Sequence, residues 1–135
     1  MRAFVDTSAL LALSHVRDQY HAQAKAAARR HEAVGGRYAS STLVLAEFHS
    51  HLLFLRGPAA VRQALTRLLG DPAHEWHDVA ADVVRDACEH WLARFADQRF
   101  SLADAVSFEL MRRESLTHAF AFDRHFQVAG FAVID

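Results

Sequence analysis

Ala3-Phe4-Val5-Asp6-Thr7-Ser8-Ala9-Leu10-Leu11-Ala12-Leu13 decides the fold. Its three leading apolar residues make a short buried strand, Asp6-Thr7-Ser8 can cap a helix, and Ala9-Leu10-Leu11-Ala12-Leu13 begins one. A strand that feeds straight into a capped helix is how many parallel sheets open, because parallel strands are buried on both faces and need helical crossovers.

The same grammar recurs down the chain. An Ala- and Arg-rich helix over residues 19–31 stops at Gly35-Gly36, and Arg37-Tyr38-Ala39-Ser40 reads as a brief strand. Ser41-Thr42 cap an apolar helix over 43–55, which Gly57-Pro58 separates from another over 59–69. Glu75-Trp76-His77-Asp78-Val79 fits an edge strand. A helix over 80–94 follows, with Val83, Val84, Ala87, Cys88, Trp91, Leu92 and Phe95 on one stripe. A helix from Leu102 to Glu114, a strand ending at Asp123 and a last strand Phe131-Ala132-Val133-Ile134 complete the pattern. Strands alternating with helices predict an α/β fold with a mostly parallel central sheet. No repeat, linker or low-complexity stretch interrupts it, so residues 1–135 are expected to form a single domain.

Composition narrows the function classes. The chain has 135 residues, 52% of them hydrophobic and 23% charged, with a net charge of −1. There is no overall basic field to announce nucleic-acid binding, although local patches can still hold RNA where a long duplex need not be gripped. Cys88 is alone, which excludes an intramolecular disulfide, and it reads as buried filler within the apolar helix. The acid at Asp6 comes too early for a signal peptide, and no apolar run approaches a membrane span. A cytoplasmic protein without membrane contact is expected.

Four acids stand out: Asp6, Glu47, Asp104 and Asp123. Asp6 and Asp123 each follow a strand and precede a helix, where a carboxylate can serve simply as an N-cap. Asp104 closes Ser101-Leu102-Ala103-Asp104, which spells a capping box. Glu47 sits among Leu43, Val44 and Phe48, where a carboxylate is costly unless an arginine or a cation offsets it. Their shared placement favours a second role. In an open α/β sheet ligands bind beyond the carboxyl ends of the strands, and helix N-termini generally point to the same edge. Carboxylates converging there repel one another until a hard divalent cation relieves them, and oxygen-only ligands favour Mg²⁺ or Mn²⁺. Neither a zinc-type spacing among the ten histidines nor a Gly-rich phosphate loop is present.

These residues also resemble a known family. Phe4-Val5-Asp6-Thr7-Ser8-Ala9-Leu10-Leu11, Leu45-Ala46-Glu47, Ser101-Leu102-Ala103-Asp104-Ala105-Val106-Ser107-Phe108 and Ala121-Phe122-Asp123-Arg124-His125-Phe126 are similar, in order, to the four acidic motifs of the PIN-domain ribonucleases. The resemblance implies a three-layer α/β/α fold and Mg²⁺- or Mn²⁺-dependent RNA cleavage. Many members of this size are VapC-type toxins, which implies a homodimer and an antitoxin partner. It also places Ser8 near the metal, as a contact for RNA or ion. Where members often carry a further acid, this chain has His125.

On this reading Asp6, Asp104 and Asp123 carry the metal, and Glu47 orients or deprotonates the attacking water. All four are expected to be catalytic. Arg124, beside Asp123, and also Arg112 or Arg113, are candidate holders of the RNA backbone. The alternative is a non-catalytic PIN-like adaptor that binds metal or RNA through the same acids.

Overall fold

The computed structural model describes residues 1–135. Five strands, β1 (Arg2–Val5), β2 (Arg37–Ser41), β3 (His74–His77), β4 (His118–Phe120) and β5 (Ala132–Ile134), form one sheet in the order β3-β2-β1-β4-β5. Every pairing is parallel. The chain therefore steps outward from β1 through β2 to β3 at one edge, then returns to the other side of β1 for β4 and β5. That reversal puts the topological switch point between β1 and β4, where an open α/β sheet forms its crevice.

Helices cover both faces. On one side α1 (Thr7–Ser14), α2 (His21–Ala33), α3 (Thr42–Arg56) and α4 (Pro58–Gly70) pack together. On the other, α5 (Ala81–Ala87), α6 (Leu102–Arg113) and the short α7 (His125–Val128) form the second helical layer. The architecture is α/β/α in three layers. Side chains alternate across the strands, so Phe4 of β1 meets Phe126 of α7, with ring centroids 6.2 Å apart. Phe108 of α6 stands edge-on to Phe126 at 5.0 Å. All three rings are fully buried, and each such side chain contributes about 2 kcal/mol.

Helix boundaries follow local chemistry. Ser41 caps α3 by accepting from the Val44 N–H. Gly57, at φ +84°, ends α3 and starts α4, with Pro58 in the first turn. No helix is long and apolar enough to cross a membrane.

Two expectations need correction. The helix expected over 80–94 is regular only as α5; Cys88–Ala93 widen into a π turn. Cys88 is exposed rather than buried. At helical spacing it lies about 100° round from Ala87, off the face that Val83 and Ala87 bury. The four-residue helix α7, after Asp123, was not foreseen, because it is a single turn without a hydrophobic period of its own.

Candidate metal centre

Asp6 leaves the end of β1 in extended conformation and caps α1. Its Oδ2 accepts from the Ser8 N–H at 3.2 Å and from the Ser8 hydroxyl at 2.6 Å. Its own N–H donates to the Phe120 carbonyl at 3.0 Å, which ties the end of β1 to β4. The Ser8 hydroxyl in turn accepts from the Phe122 N–H at 3.0 Å. Ser8 is thus committed on both sides: it fixes the Asp6 carboxylate against the segment that leads to Asp123.

Thr7 brings in the second acid. Its hydroxyl donates to Glu47 Oε1 at 2.9 Å, across from α1 to α3. Glu47 is half-buried, and this is its hydrogen-bond partner; no arginine has been supplied to it. A threonine hydroxyl, rather than an arginine, anchors this carboxylate.

Asp104 does form the capping box. Its carboxylate accepts from the Ser101 N–H and its N–H donates to Ser101 Oγ, both at 3.0 Å. The capping role does not exhaust it, because Asp104 Oδ2 also lies 2.9 Å from His125 Nδ1. Asp123 Oδ1 accepts from the His125 N–H at 2.8 Å, closing the turn that starts α7, and lies 3.4 Å from His125 Nδ1. One ligand atom each from Asp104, Asp123 and His125 falls within 4.8 Å of the other two.

The electrostatics of the cluster are those of a missing positive charge. Burial pushes the Asp6 carboxyl up to about 6, the Ser8 hydrogen bonds oppose the rise, and the charge of Asp104 adds to it. Asp6 is only 8% exposed. No arginine or lysine pairs with any of the four acids, and His125 is the only basic side chain in ion-pair range, at Asp104 and Asp123. A buried, unpaired carboxylate that feels another acid, in a set dominated by oxygen donors, fits a hard divalent cation. The residues present fit such an ion.

Arg124 is exposed on the surface beside Asp123. Arg112 and Arg113 are paired with carboxylates of the fold. Both hydrogen-bond the fully buried Glu109, and Arg113 also reaches Asp82 and Asp86. Both guanidinium groups are thus engaged within the fold. Sequence reading also missed the stack of Tyr20 on Phe122, with centroids 4.6 Å apart and planes within 6°. No signal joins those two positions along the chain, since α2 and the β4 exit meet only in the fold. His125 was visible as a departure from the family pattern, and its contact with Asp104 was not. Another acid-rich cluster, Glu75, His77 and Glu114, lies elsewhere and already contains a cation: Arg2 bonds Glu75 at 2.8 Å and Glu114 at 3.2 Å.

Residues 3–132 match the PIN domain family. The chain is 34% identical over 131 residues to the 23S rRNA-specific endonuclease VapC20 of Mycobacterium tuberculosis, covering 97% of this chain and 96% of that protein. The crystal structure of VapC20, described as a Sarcin-Ricin loop cleaving toxin, aligns with a TM-score of 0.84 over 96% of both chains. VapBC2 from Rickettsia felis, solved with a DNA fragment from its promoter, aligns with a TM-score of 0.68 at 15% identity and shares the fold. With Asp104 and Asp123 beside His125, Asp6 at the neighbouring end of β1, and these matches spanning nearly its whole length, the chain belongs to the PIN-domain family.

Proposed function

We propose that this protein is a metal-dependent endoribonuclease and the toxin of a toxin–antitoxin pair. The observation that carries the reading is Asp6: a buried carboxylate, pushed up to about 6 by burial and then by Asp104, with no basic partner. Such a group is stabilised by a bound cation and disfavoured without one. The likeness to VapC20 over almost the entire chain supports RNA as the substrate and ribosomal RNA as the first to try.

In this reading Asp6, Asp104 and Asp123 hold Mg²⁺ or Mn²⁺. When bound, the ion lowers the pKa of its water and neutralises charge on the phosphate under attack. Glu47, anchored by Thr7, would orient the attacking water and accept its proton. Ser8 positions Asp6 through its hydroxyl rather than by touching RNA. Arg124 contacts the RNA backbone as a point charge, and the Tyr20–Phe122 pair offers a face for an unstacked base. The exposed apolar end of α3, where Phe54 is 90% exposed between Leu53 and Leu55, supports a homodimer. An antitoxin is the expected protein partner, and the cytoplasm the expected compartment.

Incubation of the purified protein with ribosomal RNA, in Mg²⁺ or Mn²⁺ and then in excess EDTA, tests the reading. The expected result is a small number of defined cuts that vanish with EDTA. Cleavage that persists in EDTA, or none with either ion, contradicts it.

A further inference from the structure

His125 stands where the family often has another acid, and the fold gives it a defined aim. Its Nδ1 is 2.9 Å from Asp104 Oδ2 and 3.4 Å from Asp123 Oδ1. Neighbouring ligands around an octahedral ion, with bonds of about 2.1 Å, lie about 3 Å apart. The imidazole nitrogen is therefore spaced from each of the two carboxylates as neighbouring ligands of one such ion would be, and all three groups fall within 4.8 Å of one another. The imidazole is also held there by an apolar contact. Its ring packs edge-on against Phe100, with centroids 5.3 Å apart and planes at 72°, and Phe100 is itself buried. Its backbone N–H is fixed by Asp123.

We infer that His125 Nδ1 is a direct metal ligand, completing with Asp104 and Asp123 a mixed nitrogen and oxygen site that prefers Mn²⁺ to Mg²⁺. The inference rests on the reading of these acids as a metal centre. Carboxylate sites suit Mg²⁺ and Mn²⁺ alike, whereas imidazole is a softer ligand that strictly oxygen-seeking Mg²⁺ takes poorly. Replacing the usual acid by histidine also leaves one negative charge fewer, so the preference arises from ligand type rather than from added charge.

Pulsed EPR of the Mn²⁺-loaded protein reads the ligand directly, without RNA or turnover. Wild type should show ¹⁴N coupling to the ion, and His125→Asn should lose it. By calorimetry His125→Asn should weaken Mn²⁺ binding about tenfold while Mg²⁺ binding changes less. His125→Asp, which restores an oxygen donor, should retain Mn²⁺ binding without ¹⁴N coupling and bind Mg²⁺ more tightly than wild type. Bound Mn²⁺ with no ¹⁴N coupling in wild type, or coupling that survives in His125→Asn, overturns the role of His125 and leaves the metal centre standing. Failure of Mn²⁺ to bind wild type at all overturns both.

Discussion

Asp6 and Glu109 are two buried carboxylates in one small domain, and the fold treats them in opposite ways. Glu109 is fully buried and accepts from Arg112, Arg113 and the Trp91 indole, with His90 Nδ1 3.0 Å away. Burial pushes its carboxyl up, but the hydrogen bonds from Arg112, His90, Arg113 and Trp91 outweigh it and hold it at about 2. Asp6 has only Ser8 and its own helix end, and burial carries it up to about 6. Glu109 is a finished structural joint between α6 and the π turn. Asp6 has no basic partner, and the proposed function assigns it to a cation.

The contrast is broken most severely through activity. Asp6→Asn or Asp104→Asn should lower RNA cleavage at least about 10³-fold, because the lost metal contribution is several kcal/mol and each 1.36 kcal/mol is tenfold. Glu109→Gln should stay within a few-fold of wild type at a temperature where it remains folded. Equal losses in the two sets, measured on the same RNA, contradict the division into site and joint.

Stability should invert that ranking. Glu109→Gln leaves Arg112 and Arg113 facing a neutral group, and urea unfolding at pH 7 should show a loss of about 3 kcal/mol. The value sits at the low end for buried pairs, since Arg112 and Arg113 are 52% and 29% exposed. A loss under about 1 kcal/mol would show that the joint is not holding α6.

The smaller effect has the opposite sign. Metal-free Asp6→Asn should be more stable than wild type at pH 7 by about 2 kcal/mol, since asparagine caps almost as well and carries no charge. The folded Asp6 carboxyl lies above its ordinary 3.8, so its ionisation costs stability as pH rises from about 4 to about 6. The folded Glu109 carboxyl lies below its ordinary 4.5, so its contribution is present above that pH and lost as pH falls towards about 2. Unfolding curves in EDTA should therefore lose the upper slope in Asp6→Asn and the lower one in Glu109→Gln. Unchanged slopes in both variants would remove the electrostatic basis of the contrast.

Much of this was legible in the sequence. The central strands β1 and β4 and the six longer helices follow from apolar runs, caps and Gly or Pro breaks, because parallel strands buried on both faces advertise themselves, while the half-exposed edge strand β3 shows only a weak signal. Asp6, Asp104 and Asp123 were placed by their position at strand ends and helix starts, and the structure shows that capping and clustering coexist: Asp104 bonds Ser101 and reaches His125 with the same carboxylate. What escaped depended on contacts between distant segments. Glu109 and Arg113 are four apart on α6 and their pairing was readable, but His90 and Trp91 reach Glu109 from the π turn. A π turn carries no period that a sequence window detects. The Thr7–Glu47 bond spans 40 residues and needs the packing of α1 on α3 to exist.

The central claim is that Asp6 is an acid kept for a cation. Carboxyl ¹³C NMR of Asp6, titrated with pH in EDTA and again in saturating Mg²⁺, tests it most directly. The account predicts a midpoint near 6 without metal, moved below the ordinary carboxylate range once Mg²⁺ is bound. An ordinary midpoint in EDTA that Mg²⁺ leaves unchanged would contradict it.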